Sequence, residues 1–130
     1  MKRYLLDTHI LIWALTQPRR LSTRARQVLE YEDVHVSVLS LWEMLVKQER
    51  RRLPLPDGSL VNVVEKAGAR WLALHPAHAE AGLSLGAMHG DPIDRMLVGT
   101  ARVERMVLMT RNEQILERAA PILGELLMEA

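Results

Sequence analysis

The chain contains no cysteine, which excludes disulfides and thiolate metal sites and leaves oxygen and imidazole as the donors for any metal. Phenylalanine is also absent, so the core must be assembled from Leu, Val, Met, Ala and three tryptophans. A formal net charge of +1 gives little bulk attraction to nucleic acid, and only a local basic patch would serve that purpose. Long apolar runs are missing. The basic start Met1-Lys2-Arg3 resembles the opening of a signal peptide, but Asp7 and His9 interrupt the apolar stretch too early, and Ile10 to Leu15 is far too short to cross a membrane. The expectation is a cytoplasmic protein with no membrane association.

What is present is a substantial apolar fraction, 48% of 130 residues, enough to bury a core and suited to one domain over residues 1–130. Short apolar runs at Tyr4-Leu5-Leu6, His35-Val36-Ser37-Val38, Trp71-Leu72-Ala73-Leu74 and Met106-Val107-Leu108-Met109 read as strands. Between them lie helical stretches: Ile10 to Leu15, a segment from Ser22, Leu39 to Arg52, Ser59 to Ala69, His75 to about Leu85, Pro92 to about Arg105, and Asn112 to about Ala119. Leu53 to Gly58 is the clearest loop, and the tail beyond Pro121 fits a short strand or a helix. Alternating strands and helices imply an α/β domain with a parallel sheet covered on both faces, where ligands gather at the carboxyl ends of the strands.

Acidic and amide side chains sit where that edge should be. Asp7 follows the first strand, Glu43 falls in the first turn after the second, Asp91 and Asp94 bracket a helix start, and Asn112 follows the fourth strand. Taken singly, each has an ordinary explanation. Ser40 and Glu43 have the spacing of a capping box, as do Thr110 and Glu113; Asp91 before Pro92 suits an N-cap, and Asp94 suits the positive end of a helix dipole. Capping does not require clustering at one edge, however. Carboxylates brought together raise one another's pKa unless a cation neutralises them, and an all-oxygen set suits Mg²⁺ or Mn²⁺, ions that activate water for attack on phosphodiesters.

The segments Leu5-Leu6-Asp7-Thr8-His9-Ile10-Leu11-Ile12-Trp13, Val36-Ser37-Val38-Leu39-Ser40-Leu41-Trp42-Glu43, His89-Gly90-Asp91-Pro92-Ile93-Asp94-Arg95-Met96-Leu97 and Val107-Leu108-Met109-Thr110-Arg111-Asn112 together resemble PIN domains, in order and across almost the whole chain. The resemblance is closest to VapC-like toxins of toxin–antitoxin pairs. It implies a PIN-like three-layer sandwich around a parallel sheet, a homodimer, Mg²⁺- or Mn²⁺-dependent endonucleolytic cleavage of RNA, and a VapB-like antitoxin that blocks the pocket. By position, Asp7, Glu43 and Asp94 correspond to the core acidic ligands of the family. Thr8, Ser40 and Thr110 fall where hydroxyls support them, and Asp91 reads as a cap or outer group. Asn112 departs from the Asp found in many members and is expected to be a weaker ligand, which leaves one-metal and two-metal mechanisms open.

Arg95 and Arg111 adjoin the acidic positions and either steer phosphate or pair with carboxylates. Arg50-Arg51-Arg52 reads first as a cationic helix end. The five histidines form no convincing site, and the tryptophans read as core residues before stacking platforms. Two other readings compete. One is a non-catalytic module that keeps the fold and binds RNA or antitoxin, favoured by the lost charge at Asn112. The other is a phosphoaspartyl protein, disfavoured because His9 stands where an acidic residue is needed and no lysine follows Lys66.

Overall fold

The computed structural model describes residues 2–50, 55–56, 58–85 and 90–130. Five strands form one sheet, β1 (Arg3–Leu6), β2 (Asp33–Ser37), β3 (Arg70–Leu72), β4 (Val107–Thr110) and β5 (Leu127–Glu129), in the order β3-β2-β1-β4-β5. Every pairing is parallel, with Leu5 opposite His35 on one side and Leu108 on the other. Among the described residues seven α-helices connect them: α1 (Thr8–Thr16), α2 (Thr23–Tyr31), α3 (Val38–Glu49), α4 (Leu60–Lys66), α5 (Pro76–Leu83), α6 (Pro92–Glu104) and α7 (Glu113–Leu123).

Two-residue alternation splits the strands between two cores. Tyr4, Leu6, Val34, Val36, Val107 and Met109 pack with Ile10, Leu11, Val28, Met44 and Val64 of α1 to α4. Leu5 and Leu108 face the other way, against Leu97, Val98, Ala101, Ile115 and Ala119 of α6 and α7. Leu5, Leu108 and Leu97 are fully enclosed, and each such side chain contributes on the order of 1.5–3 kcal/mol by leaving water. The expected three-layer α/β sandwich is therefore present. Right-handed crossovers explain the layering: the chain walks outward from β1 to β3 with its helices on one face, then returns across to β4 and β5 with helices on the other. The direction reverses between β1 and β4, and this switch point is where α/β sheets place ligands.

Several boundaries differ from the sequence reading. The third strand is Arg70–Leu72 rather than Trp71 to Leu74, and α3 starts at Val38 and ends at Glu49. Arg51, Arg52, Leu53, Pro54, Asp57 and His89, all on segments given a role above, lie outside the described residues. Helix α7 continues through Pro121 to Leu123, four residues beyond the expected end at Ala119. A proline near the last turn removes one amide from a helix about to end, and Gly124, with φ +55°, then turns the chain into β5. The tail thus adds an edge strand.

Helices α5 and α6 cross through glycine. A Cβ placed on Gly99 would lie 2.5 Å from the Gly82 backbone nitrogen and 2.9 Å from its Cα. No side chain fits between these backbones.

Candidate active site

Asp7 directly follows β1, and its extended backbone (ψ 150°) makes it the N-cap residue of α1, yet its side chain makes no capping bond. Its backbone amide instead extends the ladder to the Met109 carbonyl at 3.0 Å, and its Oδ2 accepts the Thr110 hydroxyl at 2.8 Å. Thr110 is the last residue of β4, so the pair straddles the switch point. Asp7 is 3% exposed. Burial pushes its carboxyl above the usual range. The Thr110 bond, the nearby His9 and the Thr8 backbone oppose this shift, and Glu43 adds to it.

Helix α3 is capped by Ser37, whose hydroxyl accepts from the Leu39 amide, so Ser40 stands inside the helix rather than at its cap. This removes the capping-box account of Glu43, which lies in the second turn rather than the first. Ser40 bonds elsewhere. Its oxygen accepts the Thr8 hydroxyl at 3.0 Å in a buried contact that ties the start of α1 to α3. Glu43 is paired with Lys47, one turn further on, at 3.7 Å. The i,i+4 spacing made this partner legible, but Lys47 was not picked out from the sequence.

Asp94 occupies the third position of α6 and is half-buried. Burial, then Asp7, Asp91 and Glu43 in that order, push its carboxyl up to about 7, and Lys47 pulls the other way. Asp7, Glu43 and Asp94, separated by dozens of residues, thus lie within one another's electrostatic reach. Among the described residues no three acidic or histidine side chains stand together in a group that could hold a metal ion as they are placed. Uncompensated carboxylates repel, and Glu43 already has Lys47. The all-oxygen donors and their mutual repulsion nonetheless fit a hard divalent cation.

The remaining positions sort differently. Asp91 caps α6, its Oδ1 accepting from the Ile93 and Asp94 amides at 2.7 and 3.2 Å. Asn112 caps α7 through Oδ1, accepting from Gln114 and Ile115 at 2.9 and 3.2 Å, so the oxygen expected to act as a weaker ligand holds the helix start. Thr110, expected from its spacing with Glu113 to cap that helix, accepts from the Asn112 amide at 3.0 Å and donates to Asp7. Arg95 turns to the end of α5, with Nε and a terminal nitrogen each 3.3 Å from the Gly82 and Leu83 carbonyls. Arg111 donates to the Ala130 carbonyl.

A five-stranded parallel sheet in the order β3-β2-β1-β4-β5, with helices on both faces, defines the α/β class of the chain. Residues 4–121 match the PIN domain family, and the chain belongs to it. Among its relatives is ribonuclease VapC22 of Mycobacterium tuberculosis, 30% identical over 125 residues that span 93% of this chain and 95% of that protein. The tRNA(fMet)-specific endonuclease VapC of Shigella flexneri is 26% identical over 132 residues, covering 96% of this chain and 98% of its own. In fold, the chain is similar to VapBC2 of Rickettsia felis bound to a promoter DNA fragment (TM-score 0.63, 13% identity, 98% and 97% of the two chains). A toxin–antitoxin complex from Klebsiella pneumoniae aligns with TM-score 0.60 and 20% identity over 86% and 89%. The resemblance to PIN domains and VapC-like ribonucleases read from the sequence is therefore met.

Proposed function

We propose that the chain is a Mg²⁺- or Mn²⁺-dependent endoribonuclease, the toxin of a toxin–antitoxin pair, with Asp7, Glu43 and Asp94 holding the cation. The observation that carries this reading is the buried Asp7 carboxylate, bonded to Thr110 across the β1/β4 switch point, and the upward push that Asp7 and Glu43 give to Asp94 in the first turn of α6 supports it. A bound divalent cation supplies an activated water and stabilises charge developing on the phosphodiester. The protein's share is positioning. Thr110 fixes the Asp7 carboxylate by one of its two oxygens, and the Thr8–Ser40 bond holds α1, which follows Asp7, against α3, which carries Glu43. Asp91 anchors the first turn of α6 and thereby sets where Asp94 stands.

RNA is the substrate and a VapB-like protein the antitoxin on this reading, in keeping with ribonuclease relatives and with toxin–antitoxin complexes of the same fold. A homodimer in the cytoplasm completes the proposal. Among the described residues no helix is long and apolar enough to cross a membrane. The rival, a non-catalytic RNA- or antitoxin-binding module, drew its support from the missing charge at Asn112, but that side-chain oxygen is taken up in capping α7, a role that Asn and Asp fill equally well, so the lost charge alone does not favour it.

Substituting Asp7→Asn tests the assignment. The amide keeps the shape and the acceptor for Thr110 but removes the charge, so cleavage of RNA with Mn²⁺ should fall by about a thousandfold or more, a loss of about 4 kcal/mol in transition-state stabilisation. Cleavage retained within tenfold of the unaltered protein would remove Asp7 from the metal site.

A further inference from the structure

Carboxylates at a nuclease site repel the phosphates of the substrate, so cationic side chains beside them help to seat the strand. The described structure places two of them on one indole. The Arg20 guanidinium lies 4.3 Å from the centroid of the Trp13 ring and that of Arg111 lies 5.3 Å from it. The exposed His9 ring meets the same indole edge-on at 6.3 Å. His9 is two residues from Asp7, and Arg111 directly follows Thr110, the residue bonded to the Asp7 carboxylate. The aromatic and cationic groups are therefore tied, through His9 and Arg111, to residues that act directly on the Asp7 carboxylate.

Ordinary packing explains part of this. Trp13 rests on the core, and Arg111 holds the Ala130 carbonyl. Packing does not call for two guanidiniums within 5.3 Å of one indole centroid, and an anion close to either lowers the repulsion between them. A guanidinium held over a ring still has N–H donors for the oxygens of a phosphate, in Arg111 those that the Ala130 carbonyl does not take. Adjacent aromatic rings offer a surface for a base only when that base is unpaired and turned out.

We propose that His9, Trp13, Arg20 and Arg111 form a positioning surface for single-stranded RNA next to the scissile phosphate. The arginine edges take backbone phosphates, and the His9–Trp13 pair takes a neighbouring base. The inference rests on the nuclease reading above, for it names how that substrate is seated.

The test is made on the non-cleaving Asp7→Asn protein with a chelator and a labelled single-stranded oligoribonucleotide, so that binding is read without catalysis. Arg20→Ala and Arg111→Ala should each weaken binding about tenfold and lower the log–log salt slope by about 0.7, the value for one phosphate contact on a single strand. Trp13→Leu, which keeps apolar bulk in a partly buried position, should weaken binding about tenfold with the salt slope unchanged, because stacking releases no counterions. Arg102→Ala, near the opposite end of α6 from Asp94, removes the same charge elsewhere and should leave binding unaltered. With Asp7 restored, the three variants should raise KM and spare kcat. Unchanged affinity and salt slope in both arginine variants would overturn the proposal, as would an equal effect of Arg102→Ala. Absence of cleavage by the unaltered protein would defeat the nuclease reading instead, and the binding series does not depend on it.

Discussion

Thr110 at the end of β4 donates its hydroxyl to Asp7 at the end of β1, and the same oxygen accepts the Asn112 amide. One side chain thus orients the buried carboxylate and fixes the turn into α7. Valine at this position has the same shape and neither hydrogen bond. Thr110→Val should cost about 1–3 kcal/mol, because it leaves a buried carboxylate and a backbone amide short of partners. It should also reduce cleavage, since Asp7 loses its fixed orientation. Thr110→Ser should restore most of both. Thermal denaturation of the three proteins checks this, and a valine variant as stable as the original would show that the bond contributes nothing.

The alternation of apolar runs and helical periods announced the parallel sheet, and the position of Asp7 after the first of those runs was enough to place it at the carboxyl edge. Helix starts were harder to place. Ser37 and Ser40 both have capping chemistry, and the sequence pairs Ser40 with Glu43 as naturally as it pairs Ser37 with Leu39. Only the length of β2 decides between them, and strand length is set by pairing with β1 and β3 rather than by local sequence. The fate of Arg95 was illegible for a similar reason. Its partners are carbonyls at the end of α5, and they come within reach only because two glycines let the helices meet.

That crossing provides its own test. Gly99→Ala would drive a methyl group into the Gly82 backbone, where no flexible side chain can give way. The helices must separate, at a cost of about 1–3 kcal/mol, as for other overpacked cores. The offset falls on the packing that positions α6, and therefore on Asp94. Melting temperature should drop by several degrees, and Mn²⁺ affinity should weaken with it. Alanine tolerated at Gly99 without a change in melting temperature would contradict the close approach.

The carboxylates also set a pH dependence for the protein held in chelator. The folded state raises the Asp94 carboxyl from 3.8 to about 7, through burial and through Asp7, Asp91 and Glu43, with Lys47 opposing. Asp7 is raised in the same direction, chiefly by burial. Groups raised on folding favour the native state while they keep their protons. Their contribution is complete below about pH 4 and is lost as pH climbs through about 7. Chelated protein should therefore melt at a higher temperature at pH 5 than at pH 8. Mn²⁺ should raise the melting temperature far more at pH 8, where the carboxylates are charged, than at pH 5, where it must displace protons. Asp94→Asn should flatten the chelated profile, which separates this effect from histidine titration in the same interval. A wild-type profile that rises from pH 5 to 8, or one left unaltered by Asp94→Asn, would mean that these acids do not crowd one another in solution.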